Sequence, residues 1–272
     1  MAKPAKKSEV AAKGGKEETA LEVKAPSKAA LTAYSGLVDK PETVDARDLV
    51  LPKLLLMQGL SRFVAEAKAV MGEIRDSLEG KRLGDRETPV EIIPFASFKT
   101  WIIFKKSKGK DTLDYAGTFP VNAENATWER EATEKNGDLL KRFMVINYYV
   151  LLPDEIAKGE AFPYVVSFRS TSYIAGRKLE THKVKYAAIK RPICWKTFQL
   201  SSVYTENVKG KFFVYDVTPE RVTTEEELAE CVKWKTIIGA SNVRVDDSDM
   251  VEAAAEASGG PGVDTMAADA TY

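Results

Sequence analysis

The chain has 272 residues, of which 44% are hydrophobic and 29% charged, and its 40 Lys and Arg balance its 40 Asp and Glu. This is the composition of an ordinary soluble protein with one sizeable domain or two small ones. No apolar run approaches the ~20 residues of a transmembrane helix, and no signal-peptide core is present at the N-terminus. We therefore expect neither a membrane-spanning nor a secreted protein.

The cysteine and histidine content limits metal chemistry. The chain has two cysteines, Cys194 and Cys231, and one histidine, His182. The cysteines lack metal-ligand spacing, so no conventional zinc set can be assembled, and a disulfide framework is equally unsupported. We expect free, buried thiols in a reducing cytoplasm, and no cofactor.

Charge is distributed unevenly along the chain. Residues 1–45 are rich in Ala, Lys, Glu, Gly, Ser and Pro, which predicts a disordered, mildly basic N-terminal arm. No Lys or Arg follows Arg244, whereas seven acidic residues do: Asp246, Asp247, Asp249, Glu252, Glu256, Asp264 and Asp269. The negative charge of a disordered acidic tail over 245–272 therefore balances the positive charge of the rest of the chain. One folded domain is predicted over 46–244.

Order is predicted to begin near Asp48, where a compact apolar run starts. Pro52 argues against a long helix through this run. Residues 60–72 place apolar side chains at helical spacing, with Ser61 as the N-cap, and predict a helix. The segment 72–85 is predicted to form a short strand or turns punctuated by glycines.

The hydrophobic period then changes to that of strands. Residues 90–106 are dense in β-branched and aromatic side chains and predict two strands, or one bent strand broken at Pro94. A polar, loop-rich region follows over 107–141, and loops of this length often bind a ligand. Strands are predicted over 143–153, with Tyr148 and Tyr149 on opposite faces, and over 162–171.

The C-terminal half of the domain combines helices with a hairpin. A helix is predicted over 171–188, with Ser172 as its cap and with an apolar side of Ile174, Leu179 and Val184. Two strands flank a turn region of sequence Asn-Val-Lys-Gly. A last helix begins with a Thr224-x-x-Glu227 capping box and has on one face Leu228, Cys231, Val232 and Ile238.

These elements amount to six to eight strands with two or three helices, without the regular alternation of a parallel α/β sheet. The predicted fold class is α+β, mainly β. The most economical architecture is an antiparallel OB-like barrel with helices at one end and long loops.

Catalytic motifs are absent from the sequence. It contains no GxxxxGK[ST] phosphate loop, no GxGxxG and no GxSxG. His182 lies in a lysine-rich segment with no nucleophile marked for it. The acidic pairs Asp111 with Asp114, and Asp45 with Asp48, lack the strand-borne ExK pattern of metal-dependent nucleases. We therefore expect a non-enzymatic protein.

Residues 177–215 combine lysines and arginines with aromatic residues. The mixture suits single-stranded nucleic acid, because cations follow the phosphates and rings stack on unpaired bases; a hairpin with aromatic core and solvated lysines is the alternative. Candidate phosphate contacts are Lys105, Lys106, Lys185, Lys190, Arg191, Lys196, Lys209 and Lys211. Candidate stacking residues are Trp101, Tyr149, Phe168, Trp195, Phe198 and Tyr204. Only about half of these rings can face a groove, because side chains alternate along strands.

A basic and aromatic body followed by an acidic tail with a terminal aromatic resembles the T7-like single-stranded DNA-binding proteins of bacteriophages. Residues 48–106 also resemble phage early-region proteins tentatively described as DNA-binding, through Pro52, Leu54, Gln58, Gly72, Gly84, Pro94 and Trp101. The tail here is less densely acidic and ends in Ala-Thr-Tyr. The resemblance implies an OB-type body and a function in phage DNA replication or recombination, in the cytoplasm of the bacterial host.

An acidic tail attached to a basic domain suggests a regulatory mechanism. A tethered polyanion competes with DNA at an effective concentration of order millimolar, and once displaced it is free to recruit replication or recombination proteins through Asp264, Asp269 and Tyr272. Three alternatives stay open: an annealing recombinase that self-associates into oligomers, a structural or interaction protein, and a nuclease.

Overall fold

The structure is a computed structural model that describes residues 50–59, 61–109, 113–207, 210–239 and 244–245. All of them belong to one compact unit, Asp45–Tyr272. The predicted N-terminal arm lies outside the described residues, as does the predicted acidic tail apart from Val245. No helix in the described part of the chain is long and apolar enough to cross a membrane.

Twelve strands occur in these ranges. They are β1 (Val50–Leu51), β2 (Lys53–Leu56), β3 (Ile74–Asp76), β4 (Arg82–Gly84), β5 (Val90–Lys106), β6 (Asp114–Pro120), β7 (Glu131–Thr133), β8 (Leu139–Leu151), β9 (Tyr164–Phe168), β10 (Lys196–Asn207), β11 (Gly210–Val222) and β12 (Arg244–Val245). The α-helices are α1 (Arg62–Ala65), α2 (Pro153–Lys158), α3 (Tyr173–Ala188) and α4 (Glu225–Gly239). Short 3₁₀ turns precede α3 and β10, at Ser170–Ser172 and Ile193–Trp195.

The strands form a curled, mixed half-barrel. Its order is β11-β10-β5-β8-β9-β2-β3-β4, with β6 added to β5 and β7 to β8, while β1 and β12 form a separate parallel pair. Every pairing in the large sheet is antiparallel except that of β2 with β9. The predicted closed, all-antiparallel barrel is therefore wrong for the described residues, because β2 enters parallel to β9 and the strand path stays open.

Strand β5 is the centre of this sheet. It pairs along one edge with β8, and along the other with β10 at its beginning and with β6 near its end. The register shifts between Pro94 and Ala96, which accommodates a proline that has no N–H to donate. Of the two predicted alternatives, one strand with an irregularity at Pro94 is the one that occurs, and the loop predicted over 107–141 contains β6 and β7.

Side-chain contacts bring the β11 end of the sheet near β2. The Gln58 amide donates to the Phe213 carbonyl at 2.8 Å, and its oxygen accepts from the Phe213 N–H at 3.1 Å. The Tyr215 hydroxyl donates to the carbonyl of Leu54 at 2.7 Å. The outward backbone groups of Phe213 are thus satisfied by a side chain in place of a further strand.

The two faces of the sheet are covered by different helices. Helix α3 packs on the larger cluster, which includes Tyr148, Phe168 and Phe198. Helices α2 and α4 cover the second cluster, to which Tyr149 contributes. The prediction that Tyr148 and Tyr149 face opposite sides is confirmed.

The helix predictions had mixed outcomes. The helix predicted over 60–72 is limited to α1, because the chain reverses at Ala67, where φ is 56°. Helix α3 is confirmed. Of its predicted apolar side, Leu179 is buried as expected, whereas Ile174 and Val184 are exposed; Ala175, Gly176 and Tyr186 are buried as well. Its predicted cap Ser172 makes no capping bond and accepts the Tyr215 N–H instead.

Helix α4 follows its predicted start closely. The Thr224 N–H donates to Glu227 Oε2 at 2.7 Å, and the Glu227 N–H donates to Thr224 Oγ1 at 3.2 Å. The capping box is therefore confirmed. Cys231 and Ile238 are buried on its inner face, but Val232 is exposed.

Candidate nucleic-acid interface

The end of α3 brings several predicted cations together. The helix stops at Ile189, and Lys190 takes the left-handed conformation with φ 57°. The N–H of Lys190 donates to the Ala187 carbonyl, and that of Arg191 to the Tyr186 carbonyl, both at 2.9 Å. This reversal directs the chain into the 3₁₀ turn Ile193–Trp195 and then into β10, so consecutive segments present their side chains to one region.

Trp195 is the aromatic centre of this region. Its half-buried indole meets the buried Tyr186 ring edge-on, with centroids 5.5 Å apart and an interplanar angle of 86°. The Arg191 guanidinium lies 5.6 Å from the indole centroid and the Lys196 ammonium 5.9 Å from it, both within cation–π range. We call the set Lys185, Lys190, Arg191, Trp195 and Lys196 the Trp195 patch.

The cations of the Trp195 patch differ in their ion pairing from other lysines of α3. Among the described residues, no ion pair joins its four basic side chains to an Asp or Glu. On the same helix, Lys178 pairs with Asp216 and Lys183 with Glu180. The patch therefore keeps positive charge that a polyanion can neutralise.

The pKa of His182 is affected by the positive charges of the patch. Burial is the main cause that lowers the pKa of its imidazole, and the charges of Lys185 and Lys196 lower it further. Since Lys185 lies on α3 and Lys196 on β10, both elements contribute positive potential at one place. The His182 ring itself packs against Tyr186 and Phe198. It therefore contacts the same tyrosine that packs against Trp195.

The hairpin of β10 and β11 extends beyond the patch. β10 pairs with β5 only over Phe198 to Leu200, and the rest of the hairpin projects past that edge. On it Tyr204 is 39% exposed and meets Phe213 edge-on at 5.7 Å. Lys211 is exposed and stands opposite Glu206 in the hairpin register, while Lys209 lies outside the described residues.

Three of the predicted stacking residues belong to the core. Phe168 and Phe198 are 0% exposed, and Trp101 is 4% exposed with its indole N–H donating to the Asn125 carbonyl at 3.0 Å. Their ring faces are covered by neighbouring side chains, so they are removed from the candidate site. Alternation along strands does not reveal which face is buried, and these three lie on covered faces.

The remaining predicted residues lie away from the patch. Tyr149 packs against Phe98 at 4.9 Å in the cluster under α2 and α4. Lys105 and Lys106 end β5, and Lys105 follows Glu91 by fourteen positions, which is roughly 45 Å of strand. Lys105 also pairs with Glu134 and Asp138, which raise its pKa. These residues do not contribute to one continuous site with Trp195.

Tyr186 is a contributor that the list of candidates omitted. It is buried, and it positions Trp195 through an edge-to-face contact. Its spacing of four residues from His182 on a helix was visible in the sequence, but the crossing of α3 over Trp195 was not. In the part of the chain that the structure describes, no cluster of His, Cys, Asp or Glu could hold a metal ion.

The fold and the patch define a mainly β protein with a curled mixed sheet and a basic, aromatic surface at one helix end. The chain belongs to the Pam3 phage gp34-like protein family, whose profile matches residues 16–235, so it is a phage protein. Searches of curated proteins and of solved structures found no match.

Proposed function

We propose that this phage protein binds single-stranded DNA without catalysis and largely independently of sequence, in DNA replication or recombination. One observation supports this most: the cations of Arg191 and Lys196 lie within 6 Å of the half-buried Trp195 ring, and neither has a carboxylate partner among the described residues. Such a surface offers cations that contact phosphates and, beside them, an aromatic ring on which a base can stack. These are the two contributions on which single-strand binding depends.

The backbone at Lys190 supports the same proposal. A side chain in the left-handed region costs about 1–2 kcal/mol, and glycine is the usual residue at such a helix end. A lysine there brings a positive charge at the expense of stability, as expected where the charge has a use. A favourable interaction of the lysine with the helix C-terminus is a structural alternative, and binding measurements separate the two.

The test is a fluorescence titration of labelled oligo-dT with the full chain at several salt concentrations. Each neutralised phosphate of a single strand contributes roughly −0.7 to the slope of log affinity against log salt. A variant with Lys185→Ala, Lys190→Ala, Arg191→Ala and Lys196→Ala should therefore lose up to ~2.8 of that slope. Trp195→Ala should weaken binding by ~1–3 kcal/mol with little change in slope.

The matched control is Lys135→Ala, which removes an exposed charge in the turn between β7 and β8. It should leave both affinity and slope unchanged. Absence of binding by the wild-type chain at ~20 mM salt, where counterion release is most favourable, would overturn the proposal. Circular dichroism spectra equal to that of the wild type are required of each variant.

We extend the proposal to the acidic tail. No Lys or Arg follows Arg244, and the tail contains Asp264, Asp269 and Tyr272. We expect a chain ending at Val245 to bind oligo-dT more tightly than the full chain, because the competing polyanion is gone. Equal affinities would reject the competition. Recruitment of replication or recombination proteins by the tail is tested separately, by pull-down with and without it.

The same DNA assay distinguishes an annealing protein. Pairing of complementary strands faster than the spontaneous reaction, together with large oligomers in light scattering, would place the protein in that class. Binding without acceleration is the result expected for the proposed function.

A further inference from the structure

The two cysteines of the chain meet inside the protein. Cys194 lies in the 3₁₀ turn Ile193–Trp195 and Cys231 on α4, and both are free thiols in the cluster under α2 and α4. Each thiol is the largest single influence on the pKa of the other. Two oxidisable thiols 37 positions apart in the sequence are therefore buried together in one cluster.

The backbone around this pair is held by further contacts. The Thr223 hydroxyl, just before α4, lies 2.9 Å from the Cys194 carbonyl oxygen and 3.1 Å from that of Trp195. The Thr223 N–H donates to the Trp195 carbonyl at 3.1 Å. The turn that carries Cys194 is thus attached to the segment just before the helix that carries Cys231.

We propose that Cys194 and Cys231 form an intramolecular disulfide when the protein meets a peroxide. The Cys194 thiolate attacks one peroxide oxygen, so that an S–O bond forms, the O–O bond breaks and the departing hydroxide takes a proton to become water. The Cys231 sulfur then attacks the resulting sulfenic acid, so that the S–S bond forms and a second water leaves. Two thiols are oxidised and one peroxide is reduced to two waters.

The surroundings distinguish the roles of the two thiols. Cys194 is 8% exposed and Cys231 only 1%, so Cys194 is the more accessible of the two. The interaction with Cys231 lowers the pKa of the Cys194 thiol, against the opposing effect of burial. The same interaction, followed by burial, raises the pKa of Cys231. Cys194 is accordingly the nucleophile toward peroxide and Cys231 the resolving thiol.

The consequence concerns the residue that follows. Because Cys194 immediately precedes Trp195, the disulfide would fasten the Trp195 turn to α4 covalently. This inference is independent of the proposed DNA binding, and its test requires no nucleic acid.

The experiment treats the reduced, full-length protein with hydrogen peroxide, alkylates the remaining thiols and maps tryptic peptides without reduction. The expected product is peptide 191–196 linked to peptide 222–233, lighter by two hydrogen atoms than the sum of both. Reduction with dithiothreitol should release the two peptides. The rate constant should not change when the protein concentration is raised, because the reaction is intramolecular.

Three results would overturn the proposal, and each is read on the wild-type chain: both cysteines alkylated after peroxide treatment, Cys194 found as sulfinic or sulfonic acid without a linked product, or links only between chains. The Cys231→Ser variant allows the sulfenic acid intermediate to be detected. Its Cys194 should stop at the sulfenic acid and react with dimedone, whereas the wild type should give little adduct. If the wild type gives the same adduct, Cys231 does not resolve it, which also overturns the proposal.

Discussion

The replacement Lys190→Gly separates the structural and the functional role of Lys190 in one variant. Its backbone lies in the left-handed region at φ 57°, where a side chain costs about 1–2 kcal/mol. Glycine loses about 0.5–1 kcal/mol more backbone entropy on folding. The difference predicts that the variant is more stable than the wild type by about 0.75 kcal/mol, within a range of about 0–1.5 kcal/mol, measured by urea unfolding.

The same replacement should weaken DNA binding. Loss of one phosphate contact lowers the salt slope by roughly 0.7. If the two proteins bind equally at 1 M salt, the smaller slope leaves the variant roughly 0.7 logarithmic units weaker than the wild type at 0.1 M salt. That difference is about fivefold in affinity, or ~1 kcal/mol. The assay is the oligo-dT titration at four or more salt concentrations. A gain in stability together with a loss in binding is the expected combination.

Two control variants complete the design. Lys190→Ala keeps the side chain in the left-handed region, so its stability should match that of the wild type while its binding falls as in Lys190→Gly. Lys135→Ala should change neither. Wild-type affinity and salt slope in Lys190→Gly would contradict the assigned phosphate contact. An equal loss in Lys135→Ala would contradict it too, because the effect of a charge would then not depend on its position.

Three further predictions concern stability. Thr224→Ala removes the capping box of α4 and should cost about 1 kcal/mol in urea unfolding. Hydrogen bonds from Arg221 lower the pKa of Glu227 below 4.5. The ionised carboxylate therefore stabilises the fold above its unfolded pKa, and this stabilisation is lost as pH falls through the folded pKa. Glu227→Gln should lack this acid-dependent loss when unfolding is measured from pH 7 down to pH 3. Gly176→Ala would place a Cβ 2.8 Å from that of Phe168, and overpacking should lower stability by about 1–2 kcal/mol despite the better helix propensity of alanine.

Features that depend on neighbours in the sequence were predictable. The capping box at Thr224 and Glu227 requires residues three positions apart, and the structure contains both of its hydrogen bonds. The members of the Trp195 patch lie within 185–196, so one helix end and one short turn suffice to assemble them. The alternation that separates Tyr148 from Tyr149 is likewise a property of a single strand.

Features that depend on distant segments were not predictable. Strand β2 was expected in an antiparallel barrel, yet it pairs parallel to β9, more than a hundred residues further along the chain. Phe168 and Tyr204 are both aromatic residues on strands, but α3 covers the first and leaves the second partly exposed.

Sequence patterns were enough to predict the strand-rich class, helices α3 and α4, the hairpin and the cluster of charge near Trp195. The open strand order, the choice of rings in the core and the burial of Cys194 with Cys231 in one cluster followed from the folded chain alone. The two groups of features differ in the sequence range of the interactions behind them. Capping, turns and periodicity act between residues a few positions apart, whereas burial and strand pairing are decided by segments that become neighbours only when the whole chain has folded.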